Sequence, residues 1–338
     1  MSLKGSSKKR ILLLGRIASL ALLAMAALLS PRAAAYLDPY GLLFVVVGGV
    51  AGALMTFSGG EIRTAVRHAG GALGSADEVH RSILFWESTA RNFWILGVSR
   101  SILSFVISLG SLSGGIPALT SGLADSMLAA LYGMVLTVIC YVPYWKLEGQ
   151  RLRLADSGVA PALSAQAQIG DWQFSHVLGY ALFAAIFVIT LLRPPATEIL
   201  AILGWIVYWP SLLVVFGGTL ALLLFLGDAV REPKISPGFA VTGLIGSLIG
   251  FLQVLLGIAA GSIADISSAL TFILSSCFAA LMGMFLVAGP LEDRSAKFRG
   301  ESVRTTLSRV AWYVFPLMAL IFLIAVFVVI VTPFEKHQ

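Results

Sequence analysis

Charge is what this sequence has least of. Acidic and basic residues together make up 12% of its 338 residues, while 58% are hydrophobic and the mean hydropathy is +0.92. A soluble domain carries roughly 25% charged residues, so a water-soluble globular chain is excluded. Cysteine is scarce as well. Cys140 and Cys277 both lie inside apolar runs, which rules out a disulfide framework and leaves them as small packing residues. The four histidines, His68, His80, His176 and His337, are scattered, with no spacing that would hold zinc or iron. A phosphate-binding loop and a nucleophile–base constellation are missing too. The chain is therefore expected to be no enzyme and to carry no metal or cofactor. The net charge of +6 is not a nucleic-acid signature, because the basic residues sit in short segments between apolar runs. No nucleic-acid partner is expected.

What the sequence has instead is long apolar runs. A bilayer takes about 20 consecutive apolar residues as a helix, and backbone exposed to lipid must satisfy its own hydrogen bonds. Runs of this kind lie near 11–30, 40–57, 93–114, 122–145, 175–192, 199–227, 238–261, 266–289 and 310–332. They predict an all-α polytopic membrane protein with about nine transmembrane helices. The first run follows a basic start and precedes the small residues Ala33 and Ala35. Residues 1–35 are thus either a cleaved signal peptide, leaving about eight spans, or a retained first helix.

The basic residues set the orientation. With the N-terminus cytoplasmic, the inside segments are 1–10, 58–92, 146–174, 228–237 and 290–309. Of the 23 lysines and arginines, only Arg32, Arg193 and Lys336 then fall outside, and Arg16 and Arg100 fall within spans. That asymmetry is the positive-inside pattern. Segment 58–92 carries Glu61, Arg63, Arg67, Asp77, Glu78, Arg81, Glu87 and Arg91, a mixture expected of a solvated amphipathic stretch. Asp125 and Asp265 fall near the outer surface, as helix caps or as a ring of carboxylates that collects cations. No acidic residue is expected at mid-depth.

The chain also repeats itself. L-D-P-Y-G-L-L-F-V-V-V-G-G-V-A-G-A-L at 37–54 matches Y-W-P-S-L-L-V-V-F-G-G-T-L-A-L-L at 208–223 in its outer proline, apolar run and Gly-Gly pair. Each is followed by an inside loop and a helical hairpin. Pro143 and Pro290 mark where the last helix of each copy is expected to enter the cytoplasm. The two copies, 1–173 and 174–308, run in the same direction, and a further helix at 309–338 stands outside them.

Three segments carry a family resemblance. Pro210 to Thr219 resembles the second helix of MotA-type stator proteins. T-G-L-I-G-S-L-I-G-F-L, Thr242 to Leu252, resembles a motif shared by MotA, TolQ and ExbB. Ala130 to Gly133, with Pro143 and K-L-E after it, resembles the closing helix of that family. As two fused copies the resemblance covers most of the chain. It implies a proton- or sodium-driven complex in the bacterial inner membrane, in which several copies of this multi-pass subunit surround a single-span MotB-, TolR- or ExbD-like partner. The partner supplies an intramembrane aspartate. The N-terminus would be cytoplasmic unless cleaved and the C-terminus periplasmic. The sequence departs from the family in three ways: it has no counterpart of the large cytoplasmic domain; in the first copy Ala130 stands where the family has threonine and Arg100 interrupts the glycine-rich helix; and the duplication is unusual, so the family's stoichiometry need not carry over.

Candidate residues follow. Ser276, Ser275, Thr271 and Ser247 bring hydroxyls to the second hairpin and are candidates for an ion path. The plainer alternative is bonding to their own helix or to a neighbour. Gln253 is expected to face protein or water, either on the path or in an interhelical hydrogen bond. Gly243, Gly246 and Gly250 recur at helical spacing and form a packing wall. Arg100 is expected to snorkel to the cytoplasmic surface; the alternatives are an ion pair with a partner acid or a positive gate. Besides the channel, two other functions fit: a non-conducting scaffold of the same fold, and a small-solute transporter built from parallel repeats.

Overall fold

The computed structural model describes residues 38–72, 74–110, 115–156, 174–192, 196–226, 235–260, 263–299, 311–321 and 323–325. The expectations for residues 1–35 and for the chain beyond 325 lie outside these, as does the side chain of Asp265. All regular structure among the described residues is helical. Six stretches are long and apolar enough to cross a membrane: Pro39–Thr56, Asp125–Leu154, Phe174–Leu191, Ile202–Leu224, Ile235–Gly257 and Ser268–Arg294. This is the architecture of a multi-pass membrane protein.

Helix α1, Pro39–Thr56, opens on a proline, whose fixed φ suits a first helical turn. Helix α2, Gly59–Ala69, follows after a capping box. There the Glu61 N–H donates to Ser58 Oγ at 3.3 Å, and the Ser58 N–H donates to Glu61 Oε2 at 2.8 Å. A turn with Gly71 at φ +106°, a left-handed value that glycine tolerates best, leads to α3, Ala76–Gly110. Segment 58–92 is therefore two helices: α2 is amphipathic and largely exposed, as expected of a solvated amphipathic stretch, whereas α3 from Ser82 on is mostly buried. The reason lies in the apolar positions between its charges: Val79, Ile83 and Trp86 pack on Tyr144, Leu147 and Leu154 of the next helix.

That helix, α4, is Gly115–Asp156 and runs through Pro143 without ending. Helices α5, Phe174–Leu191, and α6, Ala196–Ile206, follow. The expected single span 199–227 is broken at residues 207–208. Proline is best tolerated in the first turn of a helix, and Pro210 stands there where the chain restarts as α7 (209–226), which contains a π-helical turn at Leu213–Gly217. Helix α8 is Ile235–Ala260. Helix α9 (263–299) joins Ile263–Gly283, a π-helical turn at Met284–Ala288 and Gly289–Arg299. Pro290 again lies within a continuing helix, so the segment after it is no free loop. The last described helix, α10, is Ala311–Ala325.

Two helices form the centre. Every residue of α3 from 87 to 106 is buried, and so is every residue of α9 from 269 to 285. They pack against each other, α4 pairs along α3, and α8 pairs along α9. The outer helices present Val135, Val138 and Val142 of α4, and Ile245, Leu248 and Leu252 of α8. Side chains of this kind on the outside suit a lipid surround.

Candidate functional site

The seam between α8 and α9 gathers most of the candidate residues. Gly243, Gly246 and Gly250 all face α9. A methyl group built on Gly243 would sit 2.5 Å from Ala280 Cβ, one on Gly246 would sit 2.6 Å from Ser276 Oγ, and one on Gly250 would sit 2.6 Å from Ile273 Cγ1. Any side chain there would push the helices apart, which is how a small-residue stripe brings two helices close.

The hydroxyls of the seam differ in how they are satisfied. Ser247 Oγ donates to Gly243 O at 2.8 Å and lies 3.0 Å from Cys277 Sγ. With the serine proton committed to the carbonyl, the thiol is the donor of that second contact. Ser275 and Ser276 are 3% and 0% exposed, and neither hydroxyl has a hydrogen-bond partner. Leaving a buried hydroxyl unpaired costs about 1–3 kcal/mol. Thr271 is buried one turn before Ser275 on the same face of α9.

Other candidates are elsewhere. Gln253 is exposed on the outer side of α8, beside Leu252 and Leu256, and does not join the hydroxyls. Arg100 does not snorkel. It is 2% exposed on α3, and its Nη1 donates to Ser104 Oγ, one turn further along the same helix. The reason is that α3 is enclosed by its neighbours along residues 87–106. Pro143 and Pro290 are on α4 and α9, away from the seam's hydroxyls.

Two groups of buried polar residues were not among the candidates. Thr219 of α7 and Thr242 of α8 meet with hydroxyls 2.9 Å apart. Both can donate to Val215 O in the π-helical turn, at 2.6 Å and 3.1 Å. Each threonine methyl packs on the other helix's glycine, Thr219 on Gly238 and Thr242 on Gly218. The second group is ionic. Arg91 of α3 donates through Nη2 to Asp293 Oδ2 of α9 at 2.6 Å, with both side chains 1% exposed. The spacing of Ser88, Arg91 and Asn92 along one helix face, continued by the apolar Ile95, was a usable sign that this face is buried. The Gly-Thr pair had no such sign, because small hydroxyls are common in apolar helices.

No family model matches the chain, and no curated protein or solved structure is detectably similar to it.

Proposed function

We propose that this chain is an ion-conducting subunit of an energy-transducing complex in the bacterial inner membrane, with protons as the carried ion and its second hairpin as the channel wall. The observation that carries the reading is the pair of unpartnered hydroxyls on Ser275 and Ser276, buried in a seam backed by glycine. Hydroxyls left without partners there can hold a passing proton carrier or water in a way that an apolar wall cannot. The resemblance of 210–219 and 242–252 to MotA, TolQ and ExbB gives the class of complex.

In this reading the chain has about nine spans as two parallel copies, with several copies assembled around a single-span partner. The common packing of the two halves supports the duplication. Gly49 of α1 packs on Phe93 of α3, the first helix of one hairpin, and Gly218 of α7 packs on Thr242 of α8, the first helix of the other. The carboxylate that meets this seam, Glu292, sits at its end against Ser236 and not beside Ser275 and Ser276, so in this reading the titrating aspartate comes from the partner. Protonation removes a charge that is costly in lipid, and the partner helix then shifts along the wall.

The test is proton flux into vesicles that contain the purified chain with its co-purifying single-span protein. Ser276→Ala should lower the flux at least several-fold while the complex still assembles. Unchanged flux removes Ser276 from the path, and the absence of any single-span partner in the purified material overturns the reading. A scaffold of the same fold is the second reading. It is favoured by one observation, that the seam hydroxyls are enclosed within the single chain, and it predicts assembly without flux.

A further inference from the structure

The ionic group between α3 and α9 has no place in the reading above, and its chemistry is unusual. Arg91 and Asp293 are 202 residues apart in sequence and belong to different hairpins. Asp293 Oδ2 accepts both Arg91 Nη2, at 2.6 Å, and Ser88 Oγ, at 2.5 Å. The guanidinium carbon lies 3.9 Å from the ring centre of Trp312 in α10, a cation–π contact. Trp312 in turn donates its Nε1 N–H to Glu292 Oε2 at 3.1 Å, and the Ser236 N–H at the start of α8 donates to Glu292 Oε1 at 2.8 Å. Four helices, α3, α8, α9 and α10, thus meet on two adjacent carboxylates.

We propose that Arg91 and Asp293 form the joint that fixes the register of the first hairpin against the second, with Trp312 as its cover. Stability alone does not account for the pair. A buried ion pair is often no better than apolar residues of the same volume, and breaking one partner is what costs most. This pair is moreover joined through one nitrogen and one oxygen. Arg91 Nε and Nη1 have no partner, although the side chain is fully buried. A guanidinium kept for energy would spend its donors in a two-pronged contact. What a single, short, off-centre contact does supply is position. Packed helices such as α3 and α9 have alternative registers one helical turn apart, and Arg91 displaced by that turn would lose the Asp293 carboxylate in a buried place. Ser88 and Trp312 hold the two charged groups at fixed points on their helices, so the joint has one setting.

The joint stands independently of the conduction reading, because its test asks nothing of ion flux. Thermal unfolding of the full chain is followed in detergent for Arg91→Gln, for Asp293→Asn and for the reversed pair Arg91→Asp with Asp293→Arg. Each single change should lower the midpoint by at least about 5 °C, since it strands a buried charge. The reversed pair should recover half or more of that loss. If the single variants do not accumulate, accumulation of the reversed pair answers the same question: rescue supports the joint, and failure overturns it. A midpoint left unchanged by Asp293→Asn, or a reversed pair no better than the worse single variant, also overturns it.

Discussion

The two hairpins solve the same packing problem with different chemistry. In the first, α3 and α4 touch backbone to backbone: a methyl group on Gly97 would sit 2.8 Å from Gly133 Cα and 2.9 Å from Ala129 O. Its seam hydroxyls are spent. Ser101 can donate to Gly97 O or to Ser126 O, and Thr137 to Ala90 O or Gly133 O. In the second hairpin, Gly246 faces a serine instead of a glycine, and the hydroxyls of Ser275 and Ser276 are unspent. The exception in the first hairpin is Ser99 Oγ, which is buried and unpartnered. One hairpin is therefore closed by its own polar groups, and the other keeps polarity in reserve. Two adjacent unpartnered hydroxyls such as Ser275 and Ser276 are where function is to be sought.

The widest separation between the two hairpins should come from enlarging their glycines. At Gly97 an added methyl meets backbone atoms, which cannot rotate away, so Gly97→Ala should cost about 2–3 kcal/mol or more through forced separation of the helices. At Gly246 the methyl meets Ser276 Oγ at 2.6 Å, which can turn away, and Ser276 Cβ at 2.8 Å, which can move only with α9, so Gly246→Ala should still part the helices but cost less than Gly97→Ala. Unfolding midpoints of the two variants give the comparison. Equal losses would mean that the second seam is as tightly closed as the first, and the contrast drawn above would fail.

Much of this fold is legible in the sequence, and the part that is not has a common cause. Runs such as 40–57 and 238–261 could be read directly, because a span needs only length and apolarity. The spacing of Gly243, Gly246 and Gly250 likewise announced a packed face. Misplaced were the charges. Glu87, Arg91, Arg100, Glu292 and Asp293 read locally as solvent markers or snorkelling side chains, yet all five are buried. What buries Arg91 is a carboxylate about 200 residues away, and no local pattern carries that information. The break at 207–208 failed for a different reason. Pro210 was visible, but a proline at the end of an apolar run marks a helix start as readily as it marks the membrane surface. Within the candidate site, sequence supplied the hydroxyls but not their partners, so Ser247 and Ser276 looked alike until the contacts separated them.

A smaller effect should distinguish spent hydroxyls from unspent ones. Thr137→Val removes a donor that bonds across α3 and α4, and it should destabilise by about 1 kcal/mol. Ser276→Ala removes a group with no partner to lose, and it should be neutral or stabilising by up to about 1 kcal/mol. Measured side by side with proton flux, the two changes sharpen the contrast: the first is expected to alter stability and spare flux, the second to spare stability and lower flux. A clear loss of stability in Ser276→Ala would show that its hydroxyl is bonded after all.

The smallest expected effect belongs to the end of the first hairpin that carries α2, where His80 lies on α3. Burial, and after it the nearby Arg151, holds the His80 pKa below its ordinary 6.5, against the opposing pull of Asp77 and Glu148. A lowered histidine pKa means that the unfolded chain binds the proton first, so its contribution to stability is complete above about pH 6.5 and is lost as the pH falls below that value. Glu78 works lower down. Its pKa lies below 4.5, chiefly because it accepts the Ser75 N–H, and its contribution is present above that value and lost in stronger acid. The two windows can be told apart. Between pH 7.5 and 5 the unfolding midpoint should drift downward, and His80→Gln should flatten that drift while leaving the decline in stronger acid in place. A drift of unchanged slope in His80→Gln would assign it to other groups. The second hairpin, which among the described residues has no histidine in α8 or α9, should show no corresponding drift when its own protection against hydrogen exchange is followed over the same range.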